Sequence, residues 1–292
     1  MISKYLRSLI DRYKRNKKTF ILFTILHIMV ILTAIRCLVT HNYESFATCL
    51  LVLLLFLLPA LIEDRLKLTI PPLFQAIIFA FIFAAEILGE VDHYYTKIPG
   101  WDTILHTLNG FLFAAVGFST IYLLNRGSKD FKLSPMYLAM VAFCFSMTIG
   151  VIWEFFECAM DLFLNKDMQK DFIVQTVNSV TLDPDNSGDL IHVNDITETV
   201  IHTASGETTV IKGGYLDIGI LDTMKDLLVN LIGAVVFSTF GFIALKTSKS
   251  NKVVENLMIR PDDGDEEPDE VEETEEDEEA EEAEPDDEPD DE

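Results

Sequence analysis

Residues 19–40 read TFILFTILHIMVILTAIRCLVT, a run with no acidic residue and a single base, Arg36. As a helix it would be about 33 Å long, enough to cross the roughly 30 Å hydrocarbon core of a bilayer. The preceding segment is basic, as in a secretory signal. No small-x-small cleavage site follows, however, and Arg36 spoils the lipoprotein-like box at Ala34-Ile35-Arg36-Cys37. A retained anchor helix is therefore expected.

Working outward, five more runs are apolar enough to span: 46–62, 73–90, 104–124, 136–163 and 224–245. The second is short, and the third is interrupted by Glu86 near its end. Lys and Arg set the expected orientation. Lys4, Arg7, Arg12, Lys14, Arg15, Lys17 and Lys18 precede the first run. Arg65 and Lys67 follow the second, Arg126, Lys129 and Lys132 the fourth, and Lys246, Lys249 and Lys252 the sixth. The alternate short loops carry only Lys97. All the basic segments fall on one side if both termini are cytoplasmic, which is the positive-inside pattern. The expected fold is an all-α six-helix membrane bundle spanning 19–247, multi-pass in the cell membrane, with a basic cytoplasmic segment at 1–18.

The net charge of −25 says little about that bundle. The stretch 261–292 holds 23 of the 47 acids and no base, which leaves 24 acids against 22 bases elsewhere. With almost no apolar residues it reads as a disordered, self-repelling end to a cytoplasmic tail that starts at 248. Between the fifth and sixth runs, 165–221 is polar. Residues 196–203 alternate, Ala204-Ser205-Gly206-Glu207 reads as a turn, and 208–211 resumes the strand pattern. A small extracytoplasmic β-hairpin insert is expected there. Cys37, Cys49, Cys144 and Cys158 show no metal or redox spacing and read as buried free thiols. Nothing suggests nucleic-acid binding, a phosphate loop or a nucleophile elbow. The expected partner is the lipid bilayer, and the oligomeric state is not legible.

Charges inside spans are costly and tend to mark function. Asp102, His106 and Asn109 share one stripe at the start of helix four. Glu154, Glu157 and Asp161 share a stripe near the end of helix five, and Asp222, Asp226, Asn230 and Gly233 one at the start of helix six. The topology brings all three to one level, joined by Glu86 and Glu90 of helix three. Such carboxylates cannot all be ionised side by side without a cation or shared protons.

Three readings stay open. One is a catalytic site, with His106, Glu154, Glu157 and Asp226 as acid/base groups. There Asp102, His106, Glu154, Glu157, Asp161, Asp222 and Asp226 would be candidate ligands for a divalent metal such as Mg²⁺, Mn²⁺ or Zn²⁺, acting on a lipid-linked or envelope substrate. The second is a cation- or proton-linked transporter. The third is structural: helix caps and interfacial acids, with Asp222 the best N-cap candidate and Lys225 a partner.

The motifs Trp101-Asp102-Thr103-x-x-His106-x-x-Asn109-Gly110, Gly117-Phe118, Trp153-Glu154-x-x-Glu157-x-x-x-Asp161 and Asp222-Thr223-Met224-x-Asp226-x-x-x-Asn230-x-x-Gly233-Ala234 occur in order. Over about 78–245 the chain resembles the bacterial YjdF-like membrane proteins. That resemblance implies an integral membrane protein and supplies no reaction. A looser likeness of spacing, to VanZ-like proteins, hints at an envelope role.

Weaker signals remain. Asp183, Asp185, Ser187 and Asp189, with Gly188, resemble the start of a calcium loop, but the twelfth position is Asn194 rather than Glu. His27 reads as a hydrogen-bonded packing residue, and Arg36 as a snorkelling one.

Overall fold

The computed structural model describes residues 17–127, 132–247 and 256–261. The expected disorder past 261, and nearly all of the basic segment before residue 19, lie outside them.

Among the described residues six helices are long and apolar enough to cross a membrane: Lys17–Val39, Tyr43–Leu66, Pro72–Val91, Trp101–Arg126, Pro135–Leu164 and Ile220–Thr247. They are called the first to sixth spans. Between 22% and 39% of each span's apolar window is buried in the protein, so most of the apolar surface is left for lipid. Ile25, Leu32, Leu54, Phe155 and Ile232 are among the large side chains on that surface. Cys144 is exposed there too, against the expectation of burial, while Cys37 and Cys49 are buried; all four thiols are free.

The second span is longer than its apolar run, and it is broken. One helix, Tyr43–Leu55, ends at Phe56, and a second, Leu58–Leu66, begins with Pro59 in its first turn. Proline has no N–H to continue the ladder and its ring crowds the preceding turn. The third span changes pitch: Pro72–Ile82 is α-helical, and Phe83–Val91 is π-helical. A β-carbon on Gly89 would lie 2.4 Å from the Tyr95 ring, so it is the glycine that lets Tyr95 lie flush on the helix.

The spans pack as two threes. Leu26, Val30, Cys49, Val52, Phe56, Phe79 and Ile87 make the core of the first three. Leu112, Ala115, Phe118, Leu138, Ala142, Ala234 and Phe237 make most of the core of the last three. His27 sits in the first core, its Nδ1 2.9 Å from the Phe23 carbonyl and its ring against Phe23 and Phe56, as a packing residue should. Arg36 does more than snorkel, for it pairs with Asp92 at 2.6 Å.

The fourth and sixth spans cross almost in backbone contact. A β-carbon on Gly110 would lie 2.0 Å from the Asn230 carbonyl oxygen, and one on Gly233 would lie 2.0 Å from that of Thr107. Gly150 of the fifth span leaves room for the Asn230 side chain. Asn109 Nδ2 donates to Asn230 Oδ1 at 3.2 Å, and Ser146 Oγ to the Gly110 carbonyl at 2.7 Å. Without water to squeeze out, membrane helices associate through such close packing and buried hydrogen bonds. This crossing fixes the height of the polar residues around it.

The insert between the fifth and sixth spans contains the expected hairpin, Glu198–His202 paired antiparallel with Thr208–Lys212. Two pairings too short to see in the sequence close it: Ile173–Val174 with Tyr215–Leu216, and Val177–Ser179 with Ile191–Val193. At the other end of the bundle the chain returns after the sixth span. Arg260–Pro261 pairs with Leu68–Thr69, Ile259 N donates to Ser119 Oγ at 3.0 Å, and Leu257 and Ile259 are buried.

Candidate functional site

Helix geometry brings three stripes to one level. His106 lies about 8 Å along the fourth span, Asp226 about 9 Å along the sixth, and Glu154 about 15 Å back from the end of the fifth. All three spans meet the insert side of the bundle, and the small-residue crossing holds them there.

His106 is the centre, 8% exposed, with a carboxylate on each side of its ring. Nε2 lies 3.2 Å from Asp102 Oδ1, one turn back on the same helix, and 3.9 Å from Asp226 Oδ2. Nδ1 lies 3.7 Å from Glu154 Oε1. Glu157 stands one turn beyond Glu154, and its Oε1 accepts a 2.8 Å hydrogen bond from the Trp153 indole. Glu154 and Asp226 are 4% and 1% exposed. Two of their oxygens, Glu154 Oε2 and Asp226 Oδ1, are buried with no hydrogen-bond partner among the described residues. For Asp226 Oδ1 the nearest cation is Lys225, its Nζ 3.4 Å away and outside hydrogen-bond geometry.

Two sets of ligand-type atoms converge on His106: Asp102, His106 and Asp226, and His106, Glu154 and Glu157, each within 4.8 Å of one another. Three atoms at that spacing enclose a point no more than about 2.8 Å from each, so a shift of under ~1 Å would reach metal-ligand distances. The sets are not equivalent. Lys225 ties Asp102 at 3.3 Å and Asp222 at 2.8 Å as well as approaching Asp226, so the first set already has a cation. The second has none.

The remaining expected residues do other work. Asp161 accepts the N–H groups of Met168 at 2.6 Å and Gln169 at 2.9 Å, which clamps the turn after the fifth span and keeps it out of both sets. Asp222 holds Lys170 N at 2.8 Å together with Lys225, bracing the first residues of the insert rather than capping its own helix. The capping is done by Asp217, which accepts from Gly219 N at 3.2 Å, Leu221 N at 2.9 Å and, across the insert, Phe172 N at 2.7 Å. Burial alone would raise its carboxyl's pKa, but those N–H groups outweigh it and hold the pKa below the usual range. Asp183 is wrapped by its own loop: Asp185 N, Ser187 Oγ, Gly188 N and Asp189 N all point at its carboxylate. Ser187 Oγ also donates to Asp189.

Sequence reasoning missed the apolar cavity beside the site. It measures about 440 Å³ and lies where the second, third, fourth and fifth spans meet. His106, Asn109 and Glu157 form part of its wall, with Glu86 and Tyr95 contributed by the third span and the loop after it. Burial pushes the Tyr95 hydroxyl's pKa upward, with the charge of Glu90 adding to it. The i, i+4 spacing of Trp153 and Glu157 was a usable sign that the indole steadies that carboxylate; nothing in the sequence marked Tyr95.

Six spans with a shared polar cluster inside them define a polytopic helical membrane protein. More narrowly, the chain belongs to the family described as predicted membrane protein (DUF2238), whose model matches residues 19–247. That membership is consistent with the resemblance to YjdF-like proteins, and no match supports the looser likeness to VanZ-like ones. Neither the curated proteins nor the solved structures include a match to this chain.

Proposed function

We propose that this protein is a membrane-embedded enzyme whose site holds a divalent cation on His106 Nδ1, Glu154 and Glu157 and acts on the polar part of a lipid-type substrate. The observation that carries this is the Glu154 carboxylate, which is buried, with Oε1 3.7 Å from His106 Nδ1 and Oε2 without a hydrogen-bond partner among the described residues. An unsatisfied buried carboxylate oxygen is costly, and a bound cation removes the cost.

The other face of the ring supports the assignment. Metal-binding histidines commonly donate their second N–H to a carboxylate, which fixes the tautomer. Asp102, at 3.2 Å from Nε2, is placed for that role. A cation here would polarise a substrate oxygen or activate a water. Asp226, with Oδ2 3.9 Å from Nε2 of the same ring, would take up or return a proton. With the N-terminus cytoplasmic, as the basic segments argue, the site lies toward the outer face of the membrane.

The test is metal content. Protein purified in detergent and dialysed against a weak chelator should keep about one Mn²⁺ or Zn²⁺ per chain. Glu157→Ala and His106→Ala should each lose it while eluting as folded protein. Full occupancy in both variants, or none in the wild type at any metal concentration, would sink the metal reading. A proton or cation flux in reconstituted vesicles, abolished by Asp226→Asn, would replace it with the transport reading.

A further inference from the structure

We infer that the cavity beside His106 takes a long-chain amphiphile with an ammonium headgroup, and that Glu86 is the residue that selects it. This rests on the proposed site only in placing the headgroup next to it.

The mouth of the cavity points to lipid. Ile152, Trp153 and Phe156 line it and are also among the exposed apolar residues of the fifth span. In a membrane, that surface meets acyl chains rather than water. A molecule entering between those side chains must have a hydrocarbon part, and the mainly apolar walls suit it.

The polar residues then choose the headgroup. Among the described residues no Lys or Arg lines the cavity, and the one basic side chain that does, His106, already faces Asp102, Glu154 and Asp226, so a phosphate finds no unpaired cation there. Glu157 and Glu86 both line it. If a divalent cation sits on His106, Glu154 and Glu157, its charge and theirs cancel, and Glu86 remains as the net charge facing the cavity. If no cation is bound, both acids face it. In either state the cavity favours a positive group. The Tyr95, Trp153 and Phe156 rings share the lining, and aromatic rings beside a carboxylate are a recurrent way to hold an ammonium in a dry site. Glu86 is brought there by the π-helical stretch Phe83–Val91. Such wide turns tend to occur where a helix must re-aim a side chain for function.

The probes are dodecylamine, dodecyl phosphate and dodecanol, titrated at neutral pH into metal-free protein in uncharged maltoside micelles. Quenching or enhancement of Trp153 fluorescence reports binding, with Trp153→Phe as the blank. Dodecylamine should bind roughly tenfold more tightly than the other two. Glu86→Gln should cut that preference at least severalfold, Glu157 holding what remains in the metal-free protein, without lowering metal content, since Glu86 is not a proposed ligand. Ala85→Phe, which fills the cavity, should weaken all three probes with unfolding temperature unchanged. Equal binding of the three probes by wild type, or an amine preference unchanged in Glu86→Gln, overturns the inference. Loss of metal binding with the amine preference intact would overturn the metal site and leave this inference standing; metal binding with no amine preference would do the reverse.

Discussion

At the residue scale, the acids near the insert side divide by what already touches them. Asp161, Asp217 and Asp183 are consumed by backbone N–H groups. Asp222 and Asp102 share Lys225. Glu154 and Asp226 each retain an oxygen that nothing among the described residues hydrogen-bonds. Spacing alone put Asp161 and Asp222 on the same stripes as the others and could not make this division. A stripe fixes direction around a helix, not whether a loop folds back to claim the carboxylate. Asp217 gives a prediction with a definite sign. Its folded pKa is depressed, so it contributes stability above its unfolded pKa of about 4, and that contribution fades as pH falls through the folded value. Once the intrinsic pH dependence of amide exchange is divided out, protection of the Phe172 and Leu221 amides should therefore be unchanged from pH 7 to 5 and should fall below about pH 4. Asp217→Asn should show low protection at every pH. An acid loss of the same size in Asp217→Asn would show that another group is responsible.

At the element scale, the apolar runs were legible because length and composition suffice to recognise a span. Their internal breaks were only partly so. Glu86 marked a disturbance in the third span, and the structure resolves it as a π-helical stretch. The second span reads short because its apolar run stops at the charged residues Glu63, Asp64 and Arg65, while the helix continues to Leu66. The motif residues Asn109, Gly110, Asn230 and Gly233 prove to be packing residues at the crossing of the fourth and sixth spans. In the sequence they stood beside Asp102 and Asp226 and were indistinguishable in kind from them. Gly233→Ala is the sharpest test of that assignment. Its β-carbon would sit 2.0 Å from a backbone oxygen, which no rotamer change relieves. Overpacking of this type costs about 2–3 kcal/mol. The variant should unfold at lower denaturant by that amount and lose metal along with stability. Ala at Gly100, where a β-carbon meets nothing within 4 Å, would be a poor control because its φ is +79°. Ala in place of Thr148, exposed on the fifth span, is the better comparison. A Gly233→Ala protein as stable as wild type would mean that the two spans do not meet as described.

At the scale of the whole molecule, two groups of three spans do different jobs. The last three carry the His106 cluster and the crossing that sets its depth. The first three pack on their own core and, with the second and third spans, close the other side of the cavity. The sequence announced the cluster because charges in apolar runs stand out. It could not announce the cavity, whose walls are ordinary apolar side chains from four spans. These parts meet around one imidazole, and the proposed site stands or falls with a bond from His106 to a divalent cation. Pulsed electron paramagnetic resonance of Mn²⁺-loaded protein reads that bond directly, through nitrogen coupling from a coordinated ring. The wild type should show one coupled imidazole nitrogen, kept in Asp161→Asn and Glu86→Gln and lost in His106→Ala. A spectrum of free aqueous Mn²⁺ in the wild type, or nitrogen coupling that persists in His106→Ala, would contradict it.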